Sequence, residues 1–221
     1  MLQATPTKNG TGISIYGDYG DLNSLYDTVH HVADALDEGN IYQKGAHMLL
    51  LNFAYELRHA FQGTRLIQQV SFDDEQSHHY YGFQLVWTDL LIFINTLREN
   101  AGFIMTDRKN QANLYMLEYV TEQALLKYDA VGAADIVPLF GRGLSTGGEM
   151  AFIIYQTLHI DFVSMPGGKA RFRKIAQLLH SYFSSWSPEN KRIIQDLNHS
   201  ARVHGCEIHE LEFRDFPEIK W

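Results

Sequence analysis

The chain has 221 residues, 45% of them hydrophobic and 20% charged, with a formal net charge of −8 and one cysteine. This balance excludes a disordered chain, a disulfide framework or cysteine-rich zinc site, and the Lys/Arg-rich footprint of a general nucleic-acid binder. The length suits one domain over residues 1–221, with no repeat or linker dividing it, folding alone or as a homo-oligomer. The lone Cys206 fits a reducing compartment, and the polar first twenty residues lack the pattern of a signal peptide, so a cytoplasmic location is expected.

In chain order, Gly10 and Gly12 flank a turn, and Ile13 to Tyr16 alternate as a short strand does. From Asp21, an expected N-cap, the residues Leu22, Leu25, Tyr26, Val29, Ala33 and Leu36 recur at helical spacing. A dinucleotide fingerprint needs its glycines in the strand-to-helix turn, where this chain offers only Gly17 and Gly20, and no G-K-[ST] follows for a P-loop. The glycines are therefore expected to serve turn geometry, and no cofactor is expected.

Gln43 to Gln62 predicts a central helix that is apolar nearly all round and stops at Gly63. "SFDDEQSHH" is expected as a polar loop, and Tyr80 to about Gly102 as a second buried helix, which Thr88, Asp89 and Asn95 keep short of a clean membrane span. Asp107 is expected to cap a third helix running through Tyr128, with a loop from Ala130 to Gly148. Thr146 and Glu149 fit a capping box for the next helix, where Arg142 leaves room for an anion. A helix is expected from about Lys169 to Trp186, and another opened by Ser187 and Pro188 and stopped by Gly205. The tail "CEIHELEF" reads as a strand that pairs with the N-terminal one. The expected class is mainly α: a multi-helix bundle with a small β element formed by N- and C-terminal strands.

"NGTGISIYGDYGDL" from Asn9, the "LY" that follows, and "RHAFQG" from Arg58 resemble a family of bacterial proteins classed as a domain of unknown function. The likeness covers about the first third of the chain. It implies a bacterial cytosolic protein and brings no activity, cofactor or catalytic residue with it.

The densest polar group lies on the expected central helix, where Asn52, Tyr55, Glu56, His59 and Gln62 share a face and Arg58 sits at its margin. His59 would titrate near neutral pH as acid or base, with Glu56 orienting it; Tyr55 and Arg58 complete the catalytic candidates, and Asn52, Gln62 and Arg142 are the ligand-binding ones. A hydrogen-bonded core network or a solvated helix face accounts for the same stripe without any function. Glu56-x-x-His59 and Glu75-x-x-His78 have the spacing of di-iron bundle proteins, but those place the motifs on separate helices with further carboxylates, so no metal site is expected. Arg202 and His209 resemble the Arg-x(4-6)-His signature of HEPN-type RNases, although Gly205 interrupts the helix it requires. The basic run Lys169, Arg171, Arg173 and Lys174, beside "PGG", could touch phosphate or an acidic partner, or simply be a wet helix face. With no complete catalytic set, a non-catalytic binding or regulatory role is the first expectation. The alternative is a hydrolase acting on a phosphodiester or a small polar metabolite.

Overall fold

A computed structural model describes residues 1–73, 76–141, 144–211, 213 and 215–221, leaving out the side chains of 70–77 and 209. The chain forms strands β1 (Gln3–Pro6) and β2 (Gly12–Gly17), helices α1 (Tyr19–Ala33) and α2 (Lys44–Phe61), and strands β3 (Leu66–Asp73) and β4 (Gln76–Val86). Helices α3 (Trp87–Ala101), α4 (Arg108–Ile136), α5 (Ala151–Ser164), α6 (Lys169–Phe172), α7 (Ile175–Phe183) and α8 (Pro188–His204) follow. The mainly α class with a small sheet is what the helical periods predict.

The sheet is antiparallel throughout, in the order β1-β2-β4-β3. Ile13 and Ile15 are fully buried, with β2 packed against α1 and α3 and β4 against α2. The glycines of the opening stretch are explained by close approach. Gly10 has φ 62, and a Cβ there would stand 1.9 Å from the Tyr128 hydroxyl; at Gly12 it would stand 1.9 Å from the Leu85 carbonyl oxygen. Only glycine lets β2 lie against β4 in this register.

Several expectations are corrected. The segment from Tyr80 is a strand up to Val86 and becomes helix only at Trp87, and the polar stretch before it is a β-hairpin rather than a loop, with residues 74 and 75 outside the description. Both periods fit a run this apolar, so pairing partners decide between them. Phe83 and Leu85 bury on one face, while Gln84 on the other donates to Ser14 Oγ at 3.1 Å. The enclosed helix is consequently α3, buried continuously from Trp87 to Leu97, whereas α2 exposes Leu51 and Tyr55. The tail does not pair with β2, whose two edges are taken by β1 and β4; residues 208–210 form a 3-10 turn, and 212 and 214 lie outside the description.

The N-cap of α1 is Asp18. Asp21 is its N3 partner in a capping box, with Asp21 N donating to Asp18 Oδ1 at 2.8 Å and Asp18 N to Asp21 Oδ2 at 3.2 Å. Thr146 caps nothing, because α5 starts only at Ala151; its buried hydroxyl donates to Glu99 Oε2 at 3.3 Å instead. Helix α4 continues beyond Tyr128 to Ile136 through a break at Asp129 (φ −160, ψ 100), whose carboxylate accepts from Gly132 N at 3.2 Å and so caps the second segment. The helix expected over 169–186 is two short ones, α6 and α7. Asp107, Ser187 with Pro188, and Gly205 cap as predicted.

Candidate functional site

A cleft of about 440 Å³ opens between α2, the sheet, the start of α3 and α5, with the C-terminal segment along one side. Its polar side chains come in pairs that helical spacing makes inevitable: Asn52 and Glu56 from α2, Tyr155 and His159 from α5, each one turn apart on a single helix face. Asp89 enters from the first turn of α3, where the helix dipole favours a carboxylate.

These groups are tightly bonded. His159 Nδ1 lies 2.7 Å from Asp89 Oδ2, and Thr88 Oγ1 donates to the other carboxylate oxygen at 3.2 Å. Both partners are buried, Asp89 at 3% exposure and His159 at 9%. Burial opposes the imidazolium, but the hydrogen bond and charge of Asp89 outweigh it and hold His159 above the usual histidine value. With Nδ1 donating to Asp89, Nε2 has no hydrogen-bond partner among the described residues. Asn52 Nδ2 donates to the Tyr155 hydroxyl at 3.0 Å. Burial and the Asp89 charge push the Tyr155 phenol well above the ordinary tyrosine value, so it remains an O–H donor. Arg65 grips Glu56 with two bonds, Nε to Oε2 at 2.8 Å and NH2 to Oε1 at 3.0 Å.

Of the residues singled out on α2, Asn52 and Glu56 line this cleft and His59 does not. His59 Nδ1 bonds Thr64 Oγ1 at 2.8 Å, and that hydroxyl donates to the His59 carbonyl at 2.9 Å, closing the end of α2. Tyr55 is 45% exposed, with its ring 4.2 Å from that of His59 and the Arg58 guanidinium 5.5 Å away. Gln62 is exposed at the C-cap of α2, and Arg142 lies outside the described residues. Arg202 is in the last turn of α8, which Gly205 ends at φ 65, and His209 follows in the 3-10 turn, so the two share no helix. Glu75 lies outside the described residues, among which no group of three or more His, Cys, Asp or Glu is placed to hold a metal ion.

Asp89 and His159 escape notice in the sequence because they lie 70 positions apart. The available signal is that each is a titratable group within a mostly apolar helical run, "WTDLLIFI" and "FIIYQTLHIDF".

The chain belongs to the family described as a domain of unknown function (DUF6904), whose model matches residues 2–221. Neither the curated proteins nor the solved structures contain a significant match. Among the described residues, no helix is long and apolar enough to cross a membrane.

Proposed function

We propose that the protein binds a small polar molecule in this cleft and hydrolyses it, with His159 as the proton-transfer group. The observation that carries the proposal is the buried Asp89–His159 pair at 2.7 Å, with His159 lining a cleft and its Nε2 unbonded among the described residues. Asp89 fixes the tautomer and supports the imidazolium that forms. Nε2 takes a proton from water, the resulting hydroxide attacks the electrophilic carbon of the substrate, and the imidazolium returns the proton to the leaving group. Tyr155, held by Asn52, supplies an O–H to the oxygen on which charge develops.

The bidentate pairing of Glu56 with Arg65 favours a second reading, binding without turnover, because it removes two charged groups from chemistry and leaves them to shape the cleft. A panel of small esters and amides, assayed with wild type and His159→Gln, separates the two. The hydrolase reading expects turnover that His159→Gln abolishes. Binding without turnover in both proteins would support the second reading and contradict the first.

A further inference from the structure

The basic run after "PGG" divides in the fold. Lys169 and Arg173 turn to Asp129, at 3.6 and 2.6 Å, while Arg171 turns inward and is 4% exposed. There its NH2 donates to Thr11 Oγ1 at 2.7 Å, and its NH1 to the Phe162 and Met165 carbonyls, at 3.3 and 3.1 Å, at the C-terminal end of α5. Among the described residues its Nε has no hydrogen-bond partner and no carboxylate pairs with it. A guanidinium taken out of water without a counter-charge is costly unless an anion reaches it.

Arg171 lines a second cleft, of about 690 Å³, between the Lys8–Asn9 turn and the Pro166–Gly168 loop. This cleft is distinct from the one holding His159. The C-terminal segment runs between them, with Glu218 and Lys220 facing the first-named turn and Ile219 and Trp221 facing the His159 cleft. Lys8 and Lys220 stand at the rim, both exposed and without a carboxylate partner among the described residues. Three cations, Lys8, Arg171 and Lys220, thus line this cleft with one side-chain carboxylate, Glu218. That excess matches a phosphate group, which carries a charge of about −1.5 to −2 at neutral pH, better than a single carboxylate. Asn9 also lines the mouth, where its side-chain amide donates to the Trp221 main-chain oxygen at 2.7 Å and so ties the tail to this turn.

We propose that this second cleft binds the phosphate group of a small molecule, with Lys8 and Lys220 engaging it at the rim and Arg171 supplying the buried positive charge behind them. The shape of the opening stretch follows from the same arrangement. Gly10 makes room for Tyr128, and Thr11 relays between Arg171 and the tail by donating to the Lys220 carbonyl at 2.5 Å.

The test is titration of the full chain with inorganic phosphate, and separately with glycerol 3-phosphate, at constant ionic strength with chloride as the control, followed by calorimetry and by melting temperature. Arg171 packs too deeply to be a clean probe, so the variant is Lys8→Ala/Lys220→Ala at two exposed positions. Wild type should bind phosphate and melt higher than in chloride, and the double variant should bind at least about tenfold more weakly. Tighter binding of the ester would assign the cleft to a phosphorylated metabolite, and equal binding to free phosphate. His159→Gln should bind with wild-type affinity, since that residue belongs to the other cleft. No effect beyond chloride, an unchanged affinity in the double variant, or a loss in His159→Gln would each overturn the proposal.

Discussion

Asp89 Oδ2 lies 2.7 Å from His159 Nδ1, which ties the first turn of α3 to the middle of α5 through two buried side chains. The pair carries a pH signature. The folded-state value of His159 is raised, so the stability it contributes is complete below the unfolded histidine value of about 6.5 and is lost as pH rises through the folded one. Chemical denaturation of wild type and His159→Gln across neutral pH should show the advantage of wild type shrinking toward alkaline conditions. An advantage that grows with pH would mean the pair is not formed as described.

Asn52 and His59 share a helix but should differ in cost. Asn52→Ala takes a partner from the hydroxyl of Tyr155, a residue only 8% exposed, and should destabilise by about 1 to 3 kcal/mol. His59→Ala acts at the surface end of α2 and should stay within about 0.5 kcal/mol of wild type. Urea titrations of the two variants check the contrast.

Asp129 should matter down to strongly acidic pH. The Arg173 bond is the main cause, and with the Gly132 amide and the charges of Arg173 and Lys169 it outweighs the opposing effect of burial and leaves the carboxyl lowered to about 2. Its contribution is present above the unfolded aspartate value of about 3.9 and is lost as pH falls through the folded one. Asp129→Asn should therefore melt below wild type at neutral pH, and the gap should close near pH 2.

Gly12→Ala should be among the most damaging small substitutions. The added Cβ would meet the backbone of β4 at the Leu85 carbonyl, which cannot rotate away as a side chain can. A loss above about 3 kcal/mol, or no folded protein, is expected by circular dichroism.

How much the sequence discloses depends on the range of the interaction. Caps such as Asp107 and Ser187, and the stop at Gly205, act within a few residues and are legible. The strand β4 is not, because in a continuously apolar run the choice between strand and helix rests with β2 and β3, which flank it. The same limit governs the cleft. Asn52 and Glu56 can be found as a polar stripe on α2, but their neighbours Asp89, Tyr155 and His159 arrive from α3 and α5 through tertiary packing. The i,i+4 pair Tyr155 and His159 sits in a run so apolar that it reads as core, and only the Asp89 carboxylate makes the histidine distinctive.

The most direct measurement of the central claim is the pH dependence of kcat/KM for whichever ester or amide the wild type turns over, repeated with Asp89→Asn. The account predicts an ascending limb governed by an apparent pKa above the ordinary histidine value of about 6.5, moving to lower pH when the Asp89 charge is removed. Turnover independent of pH through this range, or a limb that Asp89→Asn leaves in place, would contradict it.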